Sequence, residues 1–272
     1  MRALARRVLL TTAAIATLSL ACAKREDPAP PALRWEMRDL QRSWSADTDT
    51  TSEVWVSLHY PEFLSVAGDS TALDSLNRWV KRTLVAASMT DSTPGDLEAL
   101  AAQMIANYQD VRERFGTPPA PWFYENEIRV TWDTLDVVSM VSSADSYTGG
   151  AHGAAITVWV VIDANRGRRL FLGDLITPAA RDTLLILGEA AFRRARGLQP
   201  ELPLNQQGFW FPDDRFRLTP NFGIERKGLA FHYNSGDVGP FASGPTSFTI
   251  PWDEIAGYIR PDAPMRFLRP PS

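Results

Sequence analysis

Apolar and polar residues along this chain follow two periods, and where each holds is the first guide to its architecture. From Glu53 to Tyr60 the period is two: Val54, Val56, Leu58 and Tyr60 point one way, and Trp55, Ser57 and His59 the other. That alternation predicts a half-buried strand, which Pro61 ends. A period near 3.6 follows. Leu73, Leu76, Val80 and Leu84 make the buried stripe of a helix that starts near Thr71, with Asp74 three residues on as its capping pair. A second helix has Thr93 as N-cap, Pro94 in its first turn and Asp96 near the positive end of its dipole. Its stripe is Leu97, Leu100, Met104, Tyr108, Val111 and Phe115, and Gly116 closes it.

After the rigid Pro118, Pro119 and Pro121 the period returns to two. Glu127 to Trp132 and Leu135 to Ser142 read as strands joined by a tight Asp133-Thr134 turn. The glycine-rich stretch Tyr147-Thr148-Gly149-Gly150-Ala151-His152-Gly153 comes next. Ile156, Val158, Val160 and Ile162 alternate beyond it, and Asp163 to Gly167 make the following turn. Short connections predict an antiparallel meander. A third helix is capped by Thr177-Pro178 and ends in Arg193, Arg194 and Arg196 before Gly197, a placement that suits the dipole better than a binding role. Strands are expected at Phe216 to Leu218, around Leu229, Phe231 and Tyr233, and around Phe248, Ile250 and Trp252. Residues 253–260 suit one or two helical turns, and the proline-rich tail from Pro261 is expected to be loosely held. Strands interrupted by about three main helices, without regular βαβ alternation, predict an α+β fold with antiparallel sheets.

Composition adds a location. The chain has 272 residues, 44% of them apolar, enough for a sizeable core. Arg2, Arg6 and Arg7 precede the uncharged apolar stretch Val8 to Leu20, which is shorter than the roughly 20 residues a membrane-spanning helix needs. Leu18-Ser19-Leu20-Ala21-Cys22 then has the form of a bacterial lipobox, although Leu20 occupies a position where a small residue is usual. Cys22 is the one cysteine in the chain, so no internal disulfide can form and lipidation accounts for it. Residues 1–21 are therefore expected to be an export signal and 22–33 a lipidated, proline-rich tether. Ala23 after the cysteine favours the outer membrane, facing the periplasm. A net charge of −4 with no basic run leaves no footprint for nucleic acid.

Chemistry is sparse. His59, His152 and His232 are widely separated, and neither HExxH nor a cysteine pair is present, so no metal site or cofactor is expected. No GxSxG elbow occurs, and neither Gly149-Gly150 nor Gly236 to Gly239 leads into a helix as a phosphate cradle does. Asp163, Asp174 and Glu254 are the carboxylates nearest the organised segments, with Asp163 expected to serve its own turn. His152, among small residues, is a weak catalytic candidate; its structural alternative has the three glycines at positive φ and the imidazole bonded to a neighbouring strand. Trp122, Phe123, Trp210 and Phe211 either line a groove or pack in the core.

The motif Tyr147 to Gly153, with Asp163, Gly167 to Leu170, Gly173-Asp174-Leu175, Phe216 to Pro220, Gly228 to Tyr233, Gly239 to Ala242 and Ile250-Pro251-Trp252, resembles a bacterial extracytoplasmic domain of unknown function. It is similar to the C-terminal ectodomain of the lysozyme-sensing anti-sigma-V factors and to domains of many lipoproteins. Residues 34–125 are similar in layout to a companion module found ahead of peptidoglycan deacetylase domains. The resemblance divides the mature chain into that α/β module at 34–125, an antiparallel-sheet domain at 126–260 and a tail at 261–272. No sigma-binding segment or deacetylase metal motif accompanies them in this sequence. The resemblance implies a non-catalytic binding module, with Tyr147, Thr148, Gly149, Gly150, His152 and Gly153 as binding residues and a protein or cell-wall glycan as ligand. The alternatives are an envelope hydrolase using His152 and a nearby carboxylate, and a lysozyme inhibitor.

Overall fold

The chain enters its fold on a strand that hydrophobic patterning does not announce. The computed structural model describes residues 33–46, 53–66, 68–86, 96–134 and 136–265. Strand β1 (Arg34–Trp44) buries only Leu40 fully and pairs antiparallel with β2 (Val54–Ser65). Pro61 does not end β2, contrary to the pattern's suggestion. The third strand pairs with β2 only as far as His59, and beyond it the amide of Asn77 receives Phe63 N and donates to Phe63 O, both at 2.9 Å. Pro61 shares the parity of Phe63, so its missing N–H falls on the side where no ladder partner waits.

Helix α1 (Ser70–Ala86) is capped by Asp69, whose carboxylate accepts Ala72 N at 3.0 Å, and not by the Thr71–Asp74 pair. Helix α2 (Leu97–Phe115) is capped by Asp96, which accepts Ala99 N at 2.7 Å; Thr93 and Pro94 lie outside the described residues. Each cap contributes about 1 kcal/mol. Leu97, Leu100, Met104 and Tyr108 are buried, but the stripe leaves the sheet after Tyr108, and Phe115 is 82% exposed.

Both helices pack on one face of a six-stranded sheet ordered β1-β2-β3-β4-β5-β6, completed by β3 (Trp122–Asp133), β4 (Val137–Tyr147), β5 (Ala154–Asp163) and β6 (Arg168–Arg169). Only β2 and β3, joined through the two helices, run parallel. The boundary expected between residues 125 and 126 falls inside β3, whose ladders to β2 and β4 carry one sheet across it.

Strands β4 and β5 are buried on both faces, which explains their near-continuous apolar runs. Val138, Met140, Val160 and Ile162 enter the core beneath α1 and α2, while Val137 and Val161 enter a second core on the other face. That second core is built by α3 (Leu172–Leu175), a 3-10 turn at Pro178–Ala180, α4 (Arg181–Arg196) and a three-stranded antiparallel sheet of β7 (Phe222–Glu225), β8 (Gly228–Tyr233) and β9 (Thr246–Pro251), followed by α5 (Trp252–Ile255).

Four further expectations need correction. Phe216 to Leu218 is extended chain without a ladder, because Phe216 turns into the core against Phe192; the strand lies at Phe222. Thr177 makes no side-chain cap, since the 3-10 turn intervenes before α4. Trp252 opens α5 where β9 was expected to include it. Of the tail, Ala263 and Met265 are buried, while residues 266–272 lie outside the description. The α+β class and three long helices stand as the pattern predicts.

Candidate functional site

The second sheet covers only part of the outer face of the six-stranded sheet, the part over Val141 and Trp159. Side chains elsewhere on that face are set by strand parity and register. Trp55 on β2, Phe123 on β3 and Tyr147 on β4 form one row, because Trp55 pairs with Phe123 and Phe123 with Tyr147. The Trp55 and Phe123 rings stack at 5.3 Å with 15° between their planes. The next row is Ser57, Glu125 and Asp145, and the one after it His59, Glu127 and Ser143.

These two polar rows, with Asn126, line a concavity of about 450 Å³. Its charge is one-sided. Glu125 and Asp145 are direct cross-strand partners, a like-charge arrangement that costs stability unless something between them is cationic. Neither Lys nor Arg lines the concavity. Its one basic group, His59, is held through Nδ1 by Asp39 at 2.6 Å. Glu125 also accepts Trp55 Nε1 at 2.8 Å, fixing the indole beside the carboxylates.

The floor is braced from below. Ser142 donates to Asn126 Oδ1 at 2.7 Å, Asn126 donates to the Tyr124 hydroxyl at 2.8 Å, and Tyr124 donates to Leu84 O. Burial pushes the Tyr124 hydroxyl up to about 12, so it stays a donor at any physiological pH. This chain locks β3 and β4 onto the end of α1.

The glycine-rich residues lie at one end of the same face, in the β4–β5 connection. Tyr147 donates to Gly150 O at 3.0 Å. Gly149 and Gly150 take φ of 90° and 100°, and a side chain at Gly149 would press on the Trp122 indole. Gly153 departs from the expectation: its φ is not positive, and it is small because Ser146 O approaches to 2.8 Å of where a Cβ would sit. His152 bonds no neighbouring strand. Its Nδ1 lies 2.9 Å from Gly153 O, and its ring stacks on Phe241 at 4.9 Å. No carboxylate is hydrogen-bonded to it among the described residues. Thr148 and residues 149–153 are exposed.

The other candidates scatter. Trp122 faces inward against Tyr108, Phe211 packs in the second core, and Trp210 is 53% exposed, so these residues and Phe123 share no groove. Asp163 serves its turn, accepting Asn165 N and Arg166 N at 3.0 and 3.1 Å. Arg193 and Arg196 are spent on Glu189, on carbonyls of the 199–202 and 243–245 loops and on the Phe209 ring. Among the described residues no three His, Asp or Glu side chains converge as a metal-ligand set. Cys22 lies outside them.

His232 is buried on β8, with Nδ1 2.8 Å from Ser247 Oγ and Nε2 without a partner. Burial holds its pKa below the usual 6.5, opposed by Asn234 and Asp237. A depressed histidine stabilises the fold fully above pH 6.5, and that contribution is lost as pH falls through the window just below, where only the unfolded chain takes the proton. The unfolding midpoint should therefore decline between pH 7.5 and 5.5 by more in the wild type than in His232→Gln. Parallel curves for the two proteins would refute this.

Sequence and structure comparisons locate this architecture among known proteins. Residues 45–155 match the family model described as Deacetylase PdaC, and residues 173–253 match Protein of unknown function DUF3298. No curated protein matches the chain in sequence. A DUF3298-family crystal structure from Bacteroides fragilis superposes with a TM-score of 0.66 at 19% identity, over 87% of this chain and 96% of that one. Another from Pseudomonas aeruginosa PAO1 gives 0.64 at 17% identity, over 89% and 99%. At such identities the likeness is one of fold, and this chain has the fold of those DUF3298-family structures across both of its cores.

Proposed function

We propose that this chain is a lipid-anchored protein of the bacterial envelope that binds a cell-wall glycan on the open face of its six-stranded sheet, without chemistry of its own. The stacked Trp55–Phe123 pair carries this reading. Two flat rings at the rim of a concavity, one held by a carboxylate, offer a sugar ring an apolar face to lie on and acceptors for its hydroxyls. Tyr147 and the exposed glycine-rich connection extend the row and give the edge of the site, so the motif residues shape the platform more than they supply reactive groups. The lipobox ending at Cys22 supports attachment to the outer membrane on its periplasmic side.

The test is co-sedimentation of the protein with purified cell-wall glycan. Trp55→Ala should weaken binding about tenfold or more, the loss expected when a stacked aromatic anchor is removed. His152→Ala should leave binding intact. Undiminished binding by Trp55→Ala would refute the platform, and cleavage of the glycan abolished by His152→Ala would establish the hydrolase reading instead. In cells, Cys22→Ala should lose palmitate labelling and leave the membrane fraction; unchanged labelling would refute the anchor.

The carboxylates Glu125, Asp145 and, one row on, Glu127, with no Lys or Arg beside them in the concavity, favour a second reading, a basic protein ligand seated on the same face. Titrating lysozyme activity with the protein separates the two, and also tests the inhibitor reading. The name of the matched deacetylase family adds one further arm, release of acetate from the glycan during the same incubation.

A further inference from the structure

A second concavity, of about 810 Å³, lies on the other half of the molecule between α3, the start of α4 and the stretch from Asp213 to Leu218. Its walls are apolar: Leu184 and Phe216 are buried, and Leu218 is half-buried. Its rim carries three guanidinium groups, Arg181, Arg215 and Arg217, against one lining carboxylate, Asp213.

These arginines are poorly satisfied where they stand. Arg181 opens α4, the helix end at which the dipole disfavours a cation. The side chains of Arg181 and Arg215 make no hydrogen bond or ion pair among the described residues. Arg217 reaches only Asp213, at 3.4 Å, across a pair that is mostly exposed. Asp214, the other nearby acid on this segment, is engaged by Asn205 N at 3.0 Å. The contrast with Arg193 and Arg196, each bonded to two backbone carbonyls, is marked. In a chain with an acidic balance, three under-used guanidiniums around one apolar hollow are a gathering of like charge that an anion would relieve.

The charge and the walls together define the occupant. Three cations against one acid leave a surplus of about two charges, which matches a phosphate monoester carrying about −1.5 to −2 at neutral pH and exceeds what a carboxylate would neutralise. The apolar walls call for more than a free ion. Leu172, Ile176 and Leu185 line it as well, so the apolar surface is longer than an ion alone would use. We propose that this cavity binds a phosphate monoester carried on a single apolar chain, a lipid monophosphate. Arg181, Arg215 and Arg217 hold its head group, and its chain lies against Leu184, Phe216 and Leu218. The site is independent of the sheet face and of the glycan reading.

Calorimetric titration of the purified protein with dodecyl phosphate below its micellar concentration tests this. Saturable binding at one site is expected. Arg181→Gln and Arg215→Gln should each weaken it about tenfold, the worth of a charge-assisted hydrogen bond, with no fall in the unfolding midpoint since both side chains are exposed. Inorganic phosphate and dodecanol should each bind at least about tenfold more weakly, as should dodecanoate, with its single charge. Absence of binding, or binding unaltered in both variants, would overturn the proposal. Dodecanol equal to dodecyl phosphate would reduce the site to an apolar hollow, inorganic phosphate equal to it would make it a simple anion site, and dodecanoate equal to it would remove the preference for phosphate; each of these also refutes the lipid monophosphate.

Discussion

Gly223→Ala should destabilise the protein by about 3 kcal/mol, at the upper end of what overpacking costs. In a chain of this size that lowers the unfolding midpoint by roughly 6–12 °C. A Cβ at Gly223 would sit 1.7 Å from Cε3 of Trp159, a ring fixed in β5, and no rotamer change of the alanine can relieve it. Strand β7 lies across the outer face of the large sheet at this point. Ile224 N donates to Ser139 Oγ at 2.9 Å, and Thr131 Oγ1 donates to Ile224 O at 2.9 Å, so pushing β7 away breaks both bonds as well. Because the clash has one named partner, Gly223→Ala should cost much less when Trp159 is already Ala, although Trp159→Ala has its own price. Urea denaturation of the four proteins of this cycle measures the coupling. A cost for Gly223→Ala below about 1 kcal/mol, or one that persists undiminished without Trp159, would show that the two sheets are not held apart by this contact.

Phe192→Ala should be still more damaging, by about 4 kcal/mol. Phe192 on α4 has no exposure and sits among five rings: Phe209, Phe211, Phe216, Tyr233 and Phe248, with centroids 5.1–6.3 Å from its own. Four of them meet it edge-on or nearly so, the arrangement in which positive ring edges face negative ring faces. Removing the central ring leaves a cavity that five large, mutually braced neighbours cannot collapse into. Phe216 also forms a wall of the arginine-rimmed hollow, so this variant should weaken dodecyl phosphate binding, whereas sedimentation with glycan through Trp55 should survive at temperatures below unfolding. Thermal unfolding of Phe192→Ala and Phe192→Leu checks the stability claim, with the leucine variant expected in between. Equal midpoints for wild type and the alanine variant would refute it.

Much of the fold was legible because local pattern and local chemistry agree. The period-two run at Val54 to Leu58, the helical stripes at Leu76, Val80 and Leu84 and at Leu97 to Tyr108, and the Asp163 turn all depend on neighbours close in sequence. Errors came where a partner distant in sequence takes over. Pro61 reads as a stop until Asn77 is seen to satisfy the backbone beyond it. Phe216 reads as strand until Phe192 is seen to draw it inward. β1, with one fully buried residue, has almost no pattern to read.

The candidate site divides the same way. Sequence alone determined that Trp55, Ser57 and His59 share one face of a strand, because side chains alternate in any extended chain whatever its neighbours. It also marked Tyr147 to Gly153 as a special connection, since only glycine takes the positive φ found at Gly149 and Gly150 without strain. Only the tertiary structure decided that Glu125, Glu127 and Asp145 join that face, and that Arg181 meets Arg215 and Arg217 across a hollow. The reason is register. A strand's parity is a local property, but which residue stands opposite which depends on ladders and core packing that link positions tens of residues apart, and a surface site consists of those juxtapositions.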